Sequence, residues 1–413
     1  PFDRATRRSR VGTAEAGALE SSYSYTYSYT PSRVSRQDSS VRVGVRVQQT
    51  RNSHTHTLPH PYTLSACPRD MTEYRGRASC ACTGVAPRLS LKGMSKFIVT
   101  GGAGLIGSNV VRELNARGET DILIVDHLNH PGKQANLDRL DYADYLDRDV
   151  FRETLRAGRV AAPAGLFHLG ACSSTMETDE AYLDDNNTGC TRELCEWSLA
   201  NGARFVYASS AATYGDGALG YSDDDDVTPR LQPLNLYGWS KQKFDVWALR
   251  QGLLDRIAGL KYFNVYGPGE DHKGDMRSVV NKSYAIIRDT GRIPLFKSYR
   301  PDFADGEQDR DFVYVKDAAK VTLWLYDHPE ANGLFNCGTG QARTWVDLAK
   351  ALFAAMGRDP AIDFVEMPAA LRDKYQYHTE ADMRKLRAAG CDVAFRPLEE
   401  AVADYVRCHF IET

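Results

Sequence analysis

Tyr237 and Lys241 are the residues of this sequence whose types and spacing best suit acid–base chemistry. They stand four residues apart in LYGWSKQKF (236–244), which places both side chains on one face of a helix. A lysine ammonium close to a phenol stabilises the phenolate and lowers the pKa of the phenol. Ser210 ends the run RFVYASS (204–210) and would hydrogen-bond the same substrate oxygen. The same spacing also arises by chance, as a half-buried tyrosine beside a surface lysine, so the surrounding elements decide between the two interpretations.

Lys273 is a second candidate for chemistry. It lies between His272 and Gly274 in NVYGPGEDHKGDM (264–276), a segment that runs from the end of a strand into a loop. For Lys273 to act as a base, its pKa must fall through burial or through proximity to Lys241. The alternative interpretation is a lysine that only pairs with phosphate groups.

The elements around these residues follow the order that a dinucleotide site requires. FIVT (97–100) is a short apolar strand, GGAGLIG (101–107) is a turn that opens a helix, and DILIVD (121–126) is a second buried strand. Missing side chains permit a tight turn and a close approach of the backbone to a pyrophosphate at the helix N-terminus. The glycines of this turn are Gly101, Gly102, Gly104 and Gly107. With Asp126 at the end of the second strand, the pattern favours dinucleotide binding over a glycine-rich turn without a ligand.

The alternation of strands and helices continues along the chain. Apolar runs at 165–174 and 204–210 indicate strands, and the stretch between them, 184–202, contains a helix. This alternation predicts an α/β fold with a Rossmann-type doubly wound parallel sheet. We expect an NAD(P)-binding Rossmann domain over 94–267. Residues 268–413 are expected to form mainly a smaller substrate-binding lobe, with segments that return to the first domain.

Residues 1–93 differ in composition from the rest and are excluded from the fold prediction. They hold 13 arginines and only six acidic residues, with no helical or strand period. We expect a disordered leader or a spurious upstream extension, because MSKFIVTGG makes a natural start at Met94. An organelle-targeting peptide is the alternative, and without one the composition favours a cytoplasmic protein.

Charge and cysteine content narrow the class of partner. The 413 residues carry a formal charge of −3 and contain no run of 18 apolar residues, so neither nucleic acid nor a membrane is an expected partner. The nine cysteines lack metal-ligand spacing, which predicts no metal site and a reduced, intracellular body.

Several motifs carry a resemblance to a known group of enzymes. TGGAGLIG, SSAATYG, YGWSK and FNVYGP resemble the nucleotide-sugar branch of the extended short-chain dehydrogenases/reductases. In that branch, dehydratases carry an Asp-Glu pair where this chain has Ala211 and Ala212, which disfavours dehydration. HLGACSSTMETD, NVYGPGEDHKGDM, RDFVYVKDAA and YQYHTEADMRKLRAAG are similar to the ADP-L-glycero-D-manno-heptose 6-epimerase family.

The resemblance implies a particular reaction. Such an isomerase holds NADP, oxidises C6″ of the heptose to a ketone and re-reduces it on the opposite face. It serves lipopolysaccharide biosynthesis and assembles as a homopentamer. In the family's proposed two-base arrangement, Tyr237 and Lys273 handle the alcohol proton in two positions, assisted by Lys241 and Ser210.

The resemblance also implies a set of binding residues. Those expected at the cofactor, besides Lys241 and Lys273, are Gly101, Gly104, Leu105, Ile106, Gly107, Asp126, His127, Lys133, Arg148, Leu169, Gly170, Ala171, Cys172, Ser173, Asn186 and Val265. Those expected at the substrate are Asn264, Asp275, Lys282, Phe296, Arg310 and Tyr375. Arg310 is the natural diphosphate partner, because a guanidinium fork matches phosphate oxygens; the alternative is an ordinary surface arginine.

Four residues depart from the pattern of the family. His127 stands for an asparagine, Arg148 for a lysine, Asp275 for a serine and Lys282 for a histidine. The loop 296–311 is also longer and more charged. These departures place the details of the substrate pocket in question but not the epimerase chemistry.

The cofactor and the function each keep an alternative. Asp126 favours NAD by accepting the ribose hydroxyls, whereas His127, Lys133 and Arg148 would offset the charge of a 2′-phosphate in NADP. A UDP-hexose 4-epimerase or another nucleotide-sugar short-chain dehydrogenase is the alternative enzyme. A non-enzymatic NADP sensor on the same fold is disfavoured, because Tyr237 and Lys241 are both present.

Overall fold

We analysed a computed structural model of the chain, which describes residues 95–372 and 375–412. The predicted leader, 1–93, lies outside the described residues. No helix in the described part is long and apolar enough to cross a membrane.

A seven-stranded parallel sheet forms the centre of the structure. Its strands, in chain order, are β1 (Phe97–Thr100), β2 (Ile122–Asp126), β3 (Asp144–Asp147), β4 (Gly165–His168), β5 (Arg204–Ser210), β6 (Ala258–Tyr262) and, after three strands of the lobe, β10 (Gly333–Cys337). Their spatial order is β10-β6-β5-β4-β1-β2-β3. The order reverses direction between β1 and β4, and ligands of such sheets bind in the crevice at this point. The predicted Rossmann-type doubly wound sheet is confirmed.

Helices cover both faces of the sheet. They are α1 (Leu105–Ala116), α2 (Pro131–Leu137), α3 (Arg148–Arg156), α4 (Glu180–Leu183), α5 (Cys190–Ala200), α6 (Leu236–Arg250), α7 (Val279–Thr290), α8 (Val315–Asp327), α9 (Trp345–Ala355), α10 (Ala369–Arg372), α11 (Arg384–Ala388) and α12 (Leu398–Tyr405). Helices α1 and α8 pack on one face, where Val111 and Leu323 are buried. Helices α3, α5 and α6 pack on the other, where Leu155, Leu194 and Phe244 are buried. Both faces are apolar because a parallel sheet is covered on both sides.

A smaller layer follows β6. Strands β7 (Asn264–Tyr266), β9 (Asp309–Tyr314) and β11 (Ala342–Thr344) form one small sheet, and β8 (Ile293–Phe296) pairs with β12 (Ile362–Val365) in another. A separate apolar cluster joins α7, α9 and α12. The later half of the chain also supplies β10 and α8 to the large sheet. The division into domains at 267/268 therefore stays a prediction, because segments from both sides of that boundary contribute to the large sheet.

Candidate active site

The glycine turn after β1 has room for no side chain at two of its positions. Gly101 has φ 69°, and a Cβ atom there would lie 2.6 Å from the backbone nitrogen of Gly170. A Cβ atom on Gly107 would lie 2.1 Å from the carbonyl oxygen of Gly101. The first contact holds the loop after β4 against the turn, and the second holds α1 against it. The result is a backbone cradle at the N-terminus of α1, which fits the pyrophosphate of a dinucleotide.

Asp126, at the end of β2, is already bonded on both carboxylate oxygens. Oδ2 accepts from the backbone N–H of Ala103 at 2.9 Å, and Oδ1 accepts from the Lys133 ammonium at 2.6 Å. The structure thus brings together Asp126 and Lys133, two of the residues predicted near the ribose hydroxyls or 2′-phosphate of the cofactor. Because Lys133 neutralises this carboxylate, an added phosphate at the site would meet less repulsion than beside a bare aspartate.

The side chains of His127 and Arg148 form their contacts with residues other than Asp126. His127 Nδ1 lies 2.9 Å from Asp147 Oδ2. Arg148 donates to Asn186 Oδ1 at 2.7 Å, which joins two predicted cofactor residues, one at the start of α3 and one in the helical turn after α4.

The loop after β4 holds the predicted residues 169–173, and two residues that sequence reasoning missed fix it. Asn187 donates to the carbonyl oxygen of Cys172 and accepts from its N–H, both at 2.9 Å. His168 is buried between two hydroxyls, with Nδ1 2.7 Å from Thr100 Oγ1 and Nε2 2.9 Å from Thr191 Oγ1. Burial lowers the pKa of His168 to about 3, so the imidazole is neutral at physiological pH.

The hydrogen bonds of Thr191 assign the tautomer of His168. The Thr191 hydroxyl donates to the carbonyl oxygen of Asn187 at 2.6 Å. Its oxygen must therefore accept from His168 Nε2–H, and Nδ1 accepts from Thr100. No short sequence motif signals this pair of contacts, because the threonines lie 91 positions apart (191 − 100).

Ser210, Tyr237 and Lys241 meet where β5 ends and α6 begins. Asn235 caps α6 by accepting from the N–H of Gly238 at 2.8 Å, which starts the helix one residue before Tyr237. Ser210 and Tyr237 are joined by a side-chain hydrogen bond. The ammonium of Lys241, 4% exposed, donates to the carbonyl oxygen of Ala208 at 2.8 Å. The three predicted residues are brought together as expected.

The pKa values at this group differ in part from the expectation. Burial raises the pKa of Tyr237, and the bond from Ser210 opposes this. The expected lowering by Lys241 was wrong for this state of the site, because the ammonium is turned to Ala208 instead of to the phenol. Burial lowers the pKa of Lys241 to about 8, against the opposing charge of Asp245.

Lys273 lies in a turn, 271–276, that is fixed at both ends. Gly274 takes φ 52° in the middle of the turn. On one side, buried Glu270 accepts from Ser278 Oγ at 2.6 Å and from Tyr405 OH at 2.9 Å. On the other, Asn136 of α2 donates to the carbonyl oxygen of Gly269 at 2.9 Å.

The ammonium of Lys273 is desolvated and unpaired. It forms no hydrogen bond or ion pair with another residue in 95–372 or 375–412. Burial lowers its pKa, and the charge of Glu270 opposes this. The pKa shifts in the direction that a catalytic base requires, and the shift comes from burial, whereas Lys241 does not contribute.

His272, beside Lys273, is a residue that sequence reasoning passed over. Its Nδ1 atom is buried and has no hydrogen-bond partner among the described residues. Its backbone nitrogen lies 3.0 Å from the position of a Cβ atom on Gly132. Burial lowers its pKa to about 4, and Lys133 and Lys273 add to the effect. A neutral imidazole with an unused nitrogen therefore lies near Lys133, one of the predicted cofactor residues. In the sequence, its place in HKG was the one feature that could have indicated this residue.

Arg310 is not a surface arginine. It is 6% exposed, and its guanidinium lies 5.1 Å from the ring centre of Tyr375 and 5.7 Å from that of Trp345. Phe296 meets Tyr375 edge-on at 6.5 Å. The structure thus brings together three predicted substrate residues, and Trp345 is an addition that sequence reasoning missed.

The other predicted substrate residues lie on separate surfaces. Asn264 is exposed on β7, beside Phe312 of β9, and Val265 next to it is half-buried. Asp275 is exposed, and Lys282 Nζ donates to its carbonyl oxygen at 3.1 Å. Within 95–372 and 375–412, neither Asp275 nor Lys282 forms a hydrogen bond or an ion pair with the aromatic group around Arg310.

Together, a Rossmann sheet, a glycine cradle at α1 and a Ser-Tyr-Lys group at the end of β5 define a protein of the extended short-chain dehydrogenase/reductase type. The chain belongs to the NAD dependent epimerase/dehydratase family, whose profile matches residues 97–338.

Comparisons with individual proteins show which members of the family the chain is similar to. Over 312 residues the chain is 55% identical to the ADP-L-glycero-D-manno-heptose-6-epimerase of Nitratidesulfovibrio vulgaris strain Hildenborough, which spans 75% of this chain and 97% of that protein. The crystal structure of the Helicobacter pylori ADP-L-glycero-D-manno-heptose-6-epimerase matches with a TM-score of 0.63 at 24% identity, covering 76% of this chain and 96% of that one. The UDP-glucose 4-epimerase of Thermus thermophilus, complexed with NAD, matches with a TM-score of 0.59 at 26% identity, covering 76% and 99%. The resemblance predicted from the motifs is confirmed.

Proposed function

We propose that the protein interconverts ADP-D-glycero-β-D-manno-heptose and ADP-L-glycero-β-D-manno-heptose by inverting C6″. The observation that carries the proposal is the 55% identity to a curated enzyme of that name over 97% of its length. The desolvated Lys273, an unpaired base in addition to Tyr237, supports it. Dehydration is disfavoured, because Ala211 and Ala212 offer no acid beside Ser210.

A nicotinamide dinucleotide is the cofactor, held by the residues of the glycine cradle and the loop after β4. When bound, it would supply the hydride acceptor and donor for C6″. The fit rests on the close backbone packing of the turn, which leaves no room for a Cβ atom at Gly101 or Gly107, and on the unused Nδ1 of His272. We propose NADP rather than NAD, because the Lys133 ammonium neutralises Asp126.

The chain's own residues provide two places for the alcohol proton. Inversion through a ketone requires the sugar to present both faces to one fixed nicotinamide, so its oxygen occupies two positions. Tyr237, hydrogen-bonded to Ser210, holds or releases the proton in one position. Lys273, whose charge is disfavoured by burial, takes or returns it in the other.

Substrate binding is assigned to the aromatic group around Arg310. The guanidinium lies beside the rings of Tyr375 and Trp345 and donates to the carbonyl oxygens of Asp309 and Gln376. These contacts keep its fork in one orientation, which suits a diphosphate. We further propose a homopentamer in the cytoplasm, on the resemblance to the family alone, acting in lipopolysaccharide biosynthesis.

The test is to incubate the full chain with ADP-D-glycero-β-D-manno-heptose and to follow the ratio of C6″ epimers by proton NMR. We expect drift toward the L-glycero epimer without added cofactor, and no drift with Tyr237→Phe. A folded protein that leaves the ratio unchanged with NADP or NAD supplied would overturn the proposal. Turnover of a UDP-hexose in the same assay would then support the alternative.

A further inference from the structure

A buried ion pair, Asp245 with Lys261, lies behind the catalytic residues and has no part in the roles proposed above. Neither side chain has any exposed surface, and Lys261 Nζ lies 3.4 Å from Asp245 Oδ2. Such a pair offsets its desolvation only with additional hydrogen bonds. Asp245 accepts from Tyr207 OH at 2.9 Å and from Ser209 Oγ at 2.5 Å. Both donors belong to β5, just before Ser210.

Lys261 reaches the other side of Ser210. Its ammonium donates to Thr213 Oγ1 at 2.9 Å, and that hydroxyl donates to the carbonyl oxygen of Ser210 at 2.8 Å. The ammonium also lies 4.9 Å from the ring centre of Tyr214. The pair therefore holds the chain immediately before Ser210 and immediately after it.

Asp245 is also the charged neighbour of Lys241. It follows Lys241 by four residues on α6, so the two side chains lie on one helix face, and its charge raises the pKa of Lys241 against burial. The other titratable groups near Lys241 are Cys190 of α5 and His168 of β4. Tyr237 shares the same face of α6, although the ammonium is turned away from the phenol. All three are neutral near pH 7, because burial raises the pKa values of the thiol and the phenol and lowers that of the imidazole.

Two further charges face the pair and act in opposite directions. Asp223, in the loop after β5, raises the pKa of Lys261, and Lys385 of α11 lowers it. Lys385 Nζ donates to the carbonyl oxygen of Asp223 at 3.0 Å, so the two residues lie next to each other.

We propose that the Asp245–Lys261 pair is the positioning element of this site: its hydrogen bonds fix the end of β5 that carries Ser210, and its carboxylate lies one helical turn from Lys241 on the same face of α6. Asp245 and Lys261 are positioning residues, since they act through Ser210 and Lys241. The effect on turnover rests on the proposed function, whereas the effect on Lys241 is a property of the folded chain.

The experiment titrates Lys241 directly, by NMR of isotope-labelled lysine Cε in the full chain, with Lys241→Met assigning the signal. We expect a midpoint near 8 in the wild-type protein. Asp245→Asn should lower the midpoint, because Lys261 remains without its counter-charge. Lys261→Met should raise it, because Asp245 then acts on Lys241 alone. The double variant should return the midpoint toward that of the wild type.

Thr213→Val separates positioning from charge. It breaks the bond from Lys261 toward Ser210 without altering any charge, so turnover should fall about tenfold or more with the midpoint of Lys241 unchanged. Midpoints that stay fixed in Asp245→Asn and Lys261→Met, or that move in the same direction, would overturn the proposal. If Lys261→Met fails to fold, the near-isosteric Asp245→Asn decides alone. In that case, a titration midpoint of Lys241 in Asp245→Asn that is equal to or above the wild-type midpoint overturns the proposal. If the midpoint of Lys241 shifts in opposite directions in the two variants but the wild-type protein does not epimerise the heptose, the proposed function is rejected and this inference stands.

Discussion

A lysine serves as a base at neutral pH only where its surroundings disfavour its charge, and burial does this for Lys273. We predict that Lys273→Met lowers epimerisation by about 10²–10⁴-fold, the range that positioned acid–base groups contribute. The measurement is the rate of C6″ inversion by proton NMR. Lys350→Met, at an exposed position of α9, is the matched control and should keep its activity. A Lys273→Met rate within about twofold of the wild type would remove Lys273 from the mechanism.

Lys241 sets an upper pH limit on the reaction. Burial lowers its pKa to about 8, and its charged form holds the carbonyl oxygen of Ala208, two residues before Ser210. Activity should therefore be present below this pH and be lost as the pH rises through it. The measurement is kcat between about pH 6 and about pH 10. Lys241→Arg should lack this alkaline limb, because a guanidinium keeps its charge; a limb that persists in that variant would belong to another group.

The types of the catalytic residues were predictable from local spacing, but their contacts were not. A Tyr-x-x-x-Lys pattern fixes a shared helix face, so Tyr237 and Lys241 followed directly from the sequence. The acceptor of Lys241 is the carbonyl oxygen of Ala208, 33 positions away, and no local pattern encodes a backbone acceptor on another strand. For the same reason, the sequence did not indicate Asn187 and Trp345, whose contacts are with residues distant along the chain.

At the level of secondary structure, the segment 267–276 depends on helix α2 for its position. Asn136 donates to the carbonyl oxygens of Ala103 and Gly269, both at 2.9 Å. Asn136→Ala removes both bonds, so we predict a loss of about 1–3 kcal/mol in the free energy of unfolding and a lower kcat, because Lys273 lies on the released segment. Urea unfolding and the epimerisation rate measure the two effects.

Gln134→Ala is the control for that prediction. It lies on the same helix, and among the described residues its side chain bonds only to Asp138 at the surface, so its effect should stay within about 0.5 kcal/mol. Equal losses in the two variants would show that the helix, and not the bonds of Asn136, supports the segment.

Strands with strong apolar runs were predictable, and polar or interrupted elements were not. The sequence indicated β1, β2, β4 and β5 from their apolar residues. Strand β3, of sequence DYLD, has one buried residue in four, so it carries no apolar signal. Its place is fixed by parallel pairing with β2, a tertiary contact.

Over the whole molecule, the large sheet is completed by a strand that the chain reaches only after entering the lobe. β10 pairs with β6 along its full length, and its Leu334 and Phe335 are buried. Helix α8 covers the face of the sheet that carries Phe97, with the Tyr326 ring 5.1 Å from that of Phe97. Neither element lies within the segment 94–267 to which the sequence assigned the dinucleotide fold.

We therefore predict that a fragment of residues 94–267 does not fold by itself. Without β10 the edge of β6 is unpaired, and without α8 the apolar surfaces of β1 and α1 face water, where burial of each large side chain would otherwise stabilise the fold by about 1.5–3 kcal/mol. The fragment should give no cooperative urea transition, whereas the full chain should give one. Adding residues 268–413 as a separate chain should restore part of the transition if the missing contacts are the cause. A sigmoid transition of the fragment alone would instead show that six strands suffice and that the domains separate at 267/268.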